Sequence, residues 1–467
     1  MRFMLVFPPL WSIEGPHFAL AHLQGFLMAN EHCVRVVDLN LRLAHFYKRD
    51  WNALSGNDDG LWSKPDTLEE LLYGNGIAEH LAEHIRDFRP DWVVFVSVSA
   101  ASIHAVGVLT KFLKVHVSGV PRFLVAAGGP ACFSYPQSRH ALRSVDFVGP
   151  GAFESAFQSG FCSEVGHHYV HHCRSEAVWT GIDLNGYSLP DRVPYVLNFG
   201  CRYHCRFCHE GAQYRYGISR PAGGLGTELK LVMQHLSETT PVQYIRFQDS
   251  SLNGSAIQFE EILIELRNSH LSWGCNLSPS HRLDFALASR IADAGCFLVN
   301  IGVESGSDNV RRLMNKPMSA AVVESNIKAL HAAGISVSVN FMVGYPGESD
   351  EDFSETLDFL ARVSPYIGAA RVSTAAIFPG TWLFESRERL GISLGGDLTR
   401  DFVFNYWSSL LADNTPETRK DRLRRLQEQA ARVGIDDMTP TPRRSDAVAA
   451  PIDRTPGGAA FRGRTAT

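Results

Sequence analysis

Three cysteines stand close together in Cys201-Arg202-Tyr203-His204-Cys205-Arg206-Phe207-Cys208. The spacing is C-x3-C-x2-C. Thiolates are soft ligands that suit zinc and iron–sulfur clusters. Three of them neither close a tetrahedral zinc site nor ligate all four irons of a [4Fe–4S] cluster, so a cluster held this way keeps one iron open to chelation by a small molecule. Two plainer readings fit the same residues: a zinc site completed by His204 or His209, and cysteines buried for packing. The chain has nine cysteines in 467 residues, which is no disulfide scaffold. Its start, Met1–Phe7, breaks at Pro8-Pro9, too soon for a signal peptide. Reduced thiols in the cytoplasm are therefore expected.

The triad follows an apolar, strand-like run closed by Gly200. Candidate strands continue downstream: 193–200, 244–249, 271–277, 297–303, 335–343 and 371–377, separated by helical stretches such as 256–267, 284–294 and 320–333. Six βα units in order predict parallel strands with right-handed crossovers. Side chains at the carboxyl ends of such strands face a common site. Those ends carry Asp249, Ser278, Glu304 and the turn Gly344-Tyr345-Pro346-Gly347-Glu348. Cys275 and Cys296 fall in or beside strands and read as packing residues. Residues 1–165 also alternate strand and helix, with apolar runs at 3–7, 34–37, 92–98, 123–127 and 146–148. This is the pattern of a doubly wound parallel sheet, whose ligand sits beyond the carboxyl ends of the strands. Ser97, Ser99, Gly128 and Gly129 lie at two of those ends: the serines can hydrogen-bond a polar ligand, and the glycine pair admits close backbone approach.

C-x3-C-x-aromatic-C after a first barrel strand resembles the radical S-adenosylmethionine (SAM) family, with Phe207 in the aromatic place. The first third resembles the cobalamin-binding domain that precedes one branch of that family. The likeness rests on Ser97-Val98-Ser99, on Gly128-Gly129 and on Asp146-Phe147-Val148-Gly149-Pro150-Gly151 before Glu154. The last turn departs from the family's Gly-Glu-Gly-Glu-like form. The Asp-x-His-x-x-Gly of domains that ligate cobalt from below is missing, and Pro8-Pro9-Leu10-Trp11-Ser12 stands there. His17 therefore reads as a helix-start or core histidine, and cobalamin is expected with no protein imidazole on its lower face.

The resemblance implies an α/β fold: a Rossmann-like cobalamin-binding domain at 1–165, a linker at 166–190, and a partial (β/α)6 radical SAM barrel at 191–395. A helical extension at 396–435 and a disordered tail at 436–467 follow. It implies a [4Fe–4S] cluster on Cys201, Cys205 and Cys208, with SAM and cobalamin as further cofactors. By the same resemblance the backbone of Phe207 lies near the adenine, Asp249 accepts from the SAM ammonium and Glu304 from the ribose hydroxyls. Ser278 is a lesser candidate for the SAM carboxylate. Gly344 either admits the adenine side or only shapes the turn before the helix capped by Ser349. The implied chemistry is hydrogen abstraction from an unactivated carbon by a 5′-deoxyadenosyl radical, then methyl transfer from methylcobalamin. Oxidative cyclisation or ring rearrangement without methylation is the alternative among enzymes. A non-catalytic cobalamin sensor with a structural cluster is the alternative from another class. The expected partners are a small-molecule or peptide substrate and an electron donor such as flavodoxin or ferredoxin.

The rest of the chain carries weaker signals. Cys162, His167, His168, His171, His172 and Cys173 match no zinc-finger spacing and read as a surface strand or linker, with metal binding as the alternative for such a cluster. Thr415-Pro416-Glu417 predicts a helix start and Gly434 its stop, with Leu423, Leu426 and Ala430 as the apolar stripe. The interleaved Arg419, Lys420, Arg422, Arg424 and Arg425 read as a solvated face, because no aromatics accompany them. Net charge is −5, with 45% hydrophobic and 20% charged residues. These values exclude a disordered chain and give no nucleic-acid footprint. No apolar run reaches the length of a membrane span.

Overall fold

A computed structural model describes residues 1–9, 12–47, 65–96, 102–119, 122–126, 141–148, 177–208, 210, 218–219, 222–237, 242–396, 398 and 403–435. Ser97, Ser99, Gly128 and Gly129 lie outside these residues, as do Cys162 to Cys173 and everything after Ile435.

The first sheet contains β1 (Arg2–Phe7), β2 (Cys33–Asp38), β3 (Trp92–Val96), β4 (Arg122–Ala126) and β5 (Phe147–Val148). It is fully parallel, in the order β2-β1-β3-β4-β5. Phe3 to Phe7 and Trp92 to Val96 are all buried, as expected of parallel strands covered on both faces. The strand order reverses between β1 and β3, and a doubly wound sheet opens its ligand crevice there. His17 begins the helix Phe18–Ala29 (α1). Its Nδ1 accepts the Ala19 N–H at 3.3 Å, and its ring lies 6.2 Å from that of Phe7. Burial lowers its pKa to about 4. Capping and packing account for this histidine.

The second sheet contains β6 (Arg192–Tyr195), β9 (Tyr244–Phe247), β10 (Trp273–Leu277), β11 (Cys296–Glu304), β12 (Ser336–Val343) and β13 (Ala369–Thr374). All six are parallel and lie in sequence order across the sheet. Val299, Ile301 and Val303 of β11 are buried, whereas Leu298, Asn300, Gly302 and Glu304 are half-buried. The period of two sends one set to the helices and the other into the barrel lumen. Ser255, Asp284, Ser319 and Ser349 each cap a following helix by accepting a backbone N–H, which fixes where each crossover turns.

The expected first barrel strand, 193–200, is divided. β6 ends at Tyr195, and Asn198–Phe199 (β7) pairs antiparallel with Ile218–Ser219 (β8). The reason lies in Asp249, whose carboxylate takes the N–H groups of Leu197 and Asn198 at 3.1 and 2.7 Å. With those donors engaged the ladder cannot continue. Gly200, at φ 89°, then turns the chain into the cysteine loop.

The described part of the expected linker is packed against both sheets' surroundings. Trp179, Leu184 and Tyr187 are buried. Gln24 Nε2 donates to Thr180 O at 2.8 Å, and the Tyr187 hydroxyl donates to Asp38 at the end of β2. Burial pushes Asp38 up to about 6. The rings of Phe18 and Tyr195, 4.7 Å apart, join α1 to β6 within one continuous apolar core.

Two sequence expectations about the carboxyl end need correction. The boundary at 395 cuts a hairpin: Ile392–Gly395 (β14) pairs with Tyr406–Ser409 (β15). The helix Pro416–Arg432 forms as expected, with Thr415 as its cap, but its arginines do not all face water. Arg419 and Arg422 are buried. Arg419 lies 3.9 Å over the Trp407 ring and donates to the carbonyls of Asn405 and Trp407. Arg422 pairs with the buried Glu348 at 2.9 Å. Both guanidinium groups dock the helix onto the barrel: Arg419 through its Nη atoms, and Arg422 through Nη1 and Nη2.

Candidate cluster and cofactor site

Cys201, Cys205 and Cys208 line one cavity of about 250 Å³ at the carboxyl ends of the second sheet. Backbone hydrogen bonds tie the loop that carries them to its surroundings. The Cys208 N–H donates to Cys205 O at 3.0 Å, the Arg206 N–H to Met314 O at 2.9 Å and the Leu383 N–H to Arg206 O at 3.0 Å. Asn315 Nδ2 donates to His204 O at 2.9 Å. Burial pushes the thiols of Cys201 and Cys205 up. Among the described residues no three His, Cys, Asp or Glu side chains converge on a single-ion site. Three thiols spread around one cavity suit a cluster better than a mononuclear zinc, so the donor set fits an iron–sulfur cluster.

Glu304 closes the cavity from the end of β11. Its φ is 65°, a left-handed conformation that costs a non-glycine residue about 1–3 kcal/mol. The strand register shifts between Gly302 and Glu304, and the carboxylate folds back to Lys316 Nζ at 3.3 Å. Both side chains are mostly buried. Gly302 makes the room: a Cβ there would lie 2.5 Å from Glu304 Oε1 and 3.2 Å from Lys316 Nζ. Lys316 also donates to Gly302 O at 3.1 Å. The geometry spends backbone strain to aim a carboxylate and an ammonium into the same space.

Ser278 lines the cavity too. Its backbone N–H and carbonyl are both held by the Asn253 side chain, at 2.9 and 2.8 Å. Phe207 stands between this cavity and a second one of about 440 Å³, lined among others by Met342, Ser373, Thr374, Phe378 and Leu423. The Phe207 ring meets Tyr345 edge-on at 6.4 Å.

The structure gives two expected site residues different work. Asp249 is 1% exposed, and besides Leu197 and Asn198 N–H its carboxylate accepts from Asn198 Nδ2 at 3.0 Å. Burial pushes it up to about 6. It shapes the approach to the cysteine loop; the neighbouring residue that lines the cavity is Ser250. Gly344, at φ 74°, donates its N–H to Glu348 Oε2 at 2.6 Å, and a Cβ there would lie 2.2 Å from Arg419 Cγ. Of the two readings open for this glycine, turn shaping prevails, with the close approach made by the C-terminal helix.

The cavity also contains residues that sequence reading missed: Tyr203, Asn276, Asn300, Arg311, Lys316 and Asn340. Arg311 is buried and donates to the carbonyls of Met318, Val303 and Ser305, fastening the segment after β11. The asparagines alternate with apolar residues along their strands, and that alternation was the one available signal for a polar lumen.

A family model described as the Radical SAM superfamily matches residues 195–360. Tryptophan-bound TsrM, a radical S-adenosylmethionine methyltransferase from Kitasatospora setae, superposes with TM-score 0.61 at 16% identity, over 85% of this chain and 79% of that one. OxsB, a cobalamin-dependent S-adenosylmethionine radical enzyme with aqua-cobalamin bound, gives TM-score 0.61 at 12% identity, over 91% and 66%. Among curated relatives, the bacteriochlorophyllide d C-12(1)-methyltransferase of Chlorobaculum tepidum is 26% identical over 41% of this chain and 42% of its own. A tRNA-2-methylthio-N(6)-dimethylallyladenosine synthase of Syntrophus aciditrophicus is 27% identical over 35% and 37%. The chain thus spans well under half the length of these two relatives.

Proposed function

We propose that this chain, a radical SAM enzyme with the fold of the cobalamin-dependent members, is a C-methyltransferase acting on an unactivated carbon. The observation that carries the reading is the shared cavity, in which three thiols and the strained Glu304 converge at the ends of a six-stranded parallel sheet. Cys201, Cys205 and Cys208 would hold the [4Fe–4S] cluster. Glu304 and Ser278 would orient SAM beside it, and Phe207 would divide the cluster side from the second cavity. The crevice between β1 and β3 would take cobalamin. When bound, these cofactors supply the radical and the methyl group; the protein supplies position and exclusion of water. The electron would come from a small carrier such as flavodoxin or ferredoxin. Among the described residues no helix is long and apolar enough to cross a membrane.

The test is anaerobic reconstitution with iron, sulfide and cobalamin, followed by SAM and a reductant. Formation of 5′-deoxyadenosine together with retained cobalamin is expected. Absence of 5′-deoxyadenosine from a protein that carries its cluster overturns the radical reading, and loss of cobalamin on desalting overturns the methyl-transfer reading.

Two variants resolve the parts. Glu304→Ala is expected to weaken SAM binding and leave iron content intact. Losing one partner of buried polar groups costs about 1–3 kcal/mol, which is roughly five- to 150-fold in affinity. Unchanged affinity by calorimetry would reduce Glu304 to a partner of Lys316. Gly129→Val is expected to abolish cobalamin uptake while the cluster still forms, since a branched side chain would fill the space a nucleotide tail needs. Wild-type cobalamin content in that variant removes Gly129 from the site.

A further inference from the structure

The lumen of the barrel below the cluster cavity is polar, and some of its groups have no partner. Arg246 of β9 donates through Nη2 to Asn276 Oδ1 at 2.9 Å, while its Nη1 is buried without a hydrogen bond. Asn300 donates to the same Asn276 oxygen at 3.3 Å, and its own Oδ1 is orphaned. Asn340 Oδ1 is orphaned as well. Asn276, Asn300 and Asn340 all line the cavity. In register beside Asn340 stands Arg371 of β13, which is exposed. Paired residues of parallel strands share a face, so Arg371 lies on the lumen side. Among the described residues neither Arg246 nor Arg371 has a carboxylate partner. The carboxylate lining this cavity at the end of β11, Glu304, is paired with Lys316. Burial lowers the pKa of Arg246, and the nearby Arg371 and Arg192 lower it further.

A buried guanidinium is costly unless it is paired. Among the described residues no carboxylate meets Arg246, and its hydrogen-bond partner Asn276 lines the cluster cavity. We infer that the substrate carries an anionic oxygen group, a carboxylate or a phosphate, which enters the lumen and binds between Arg246 and Arg371, with Asn300 and Asn340 taking hydrogen-bond donors of the same molecule. This rests on the reading of the barrel as the catalytic unit. Guanidinium forks suit such groups because they offer parallel charged hydrogen bonds. An anion fixed at mid-lumen would set which carbon faces the cofactor end.

The experiment uses the cluster-reconstituted full chain and three probes in calorimetry: benzoate, inorganic phosphate and the neutral isostere benzamide. Binding of benzoate, of phosphate or of both, with benzamide at least about tenfold weaker, is expected. Phosphate without benzoate would assign a phosphorylated substrate. Arg246→Met and Arg371→Met should each weaken the bound anion at least about tenfold, and Arg246→Lys should recover part of that loss. Iron content checks that each variant is folded and loaded; Arg371, being exposed, keeps the test open if the Arg246 variant fails to fold. Benzamide binding as well as benzoate, no anion binding at all, or wild-type anion affinity in both methionine variants would overturn the inference. Failure of the wild type to hold a cluster or to yield 5′-deoxyadenosine would instead count against the function itself, so the two outcomes are separable.

Discussion

Changing Cys201, Cys205 and Cys208 together to alanine is expected to reduce iron and sulfide to background while the fold persists. The loop does not depend on the thiols for its path. Arg206 donates through Nη1 to Leu313 O at 3.1 Å, and its guanidinium lies 4.2 Å over the Trp382 ring. The backbone bonds to Met314 and from Leu383 remain, as does the Asn315 bond to His204 O. Loss of metal with an unchanged circular dichroism spectrum would therefore report ligation rather than unfolding. Iron and sulfide near the wild-type level would sink the assignment of this triad. Cys275 and Cys296 serve as the control: both are buried in the apolar core, and converting either to alanine should leave the iron content unchanged.

What the sequence made legible follows from the range of the interactions involved. The cysteine spacing is local, and the loop it predicts lines the cavity. Strand positions are also local, because burial on both faces leaves unbroken apolar runs such as Phe3 to Phe7. Glu304 was readable as a carboxylate at a strand end, although its left-handed backbone and its Lys316 partner were not. Asp249 shows the limit. A carboxylate after the second barrel strand looks like a ligand-binding residue, yet its partners are the N–H groups of Leu197 and Asn198, some fifty positions away. The arginines of the last helix fail in the same way. Interleaved basic residues with no aromatics among them suggest a wet surface, and only the tertiary structure brings Glu348 and Trp407 beneath Arg422 and Arg419. The asparagines of the lumen share no spacing with one another, since each comes from a different strand.

Arg422→Ala is expected to destabilise the chain by about 3–5 kcal/mol, the usual cost of removing one partner from a buried ion pair. The side chains of Glu348 and Arg422 are 0% and 3% exposed. Arg422 Nη1 also donates to Glu348 O at 3.0 Å, and Nη2 reaches Asp350 at 3.0 Å. Arg425→Ala, which breaks an exposed pair with Asp421 at 3.7 Å and a cation–π contact 4.8 Å from the Phe353 ring, should cost no more than about 1–2 kcal/mol. The pH dependence distinguishes lost charge pairing from lost packing. Burial pushes Glu348 up to about 7, against the pull of Arg422 and the Gly344 N–H. A carboxyl group whose pKa is raised on folding contributes stability fully below its unfolded pKa of about 4.3, and loses it as pH rises through the folded value. Without Arg422 that folded pKa rises further, so the variant's deficit should be larger at pH 8 than at pH 5, by at most about 1.4 kcal/mol, the one pH unit gained beyond the wild-type folded value. Urea denaturation at pH 5 and pH 8 measures the difference. Adding Glu348→Gln should recover part of the deficit at pH 8, because the uncompensated charge is then gone. A deficit equal at both pH values, with no recovery in the double variant, would show that Arg422 acts through packing against Phe353 and not through its charge. Because Leu423 of the same helix lines the cavity beyond Phe207, the destabilised variant should also bind SAM less tightly if that cavity receives the nucleoside.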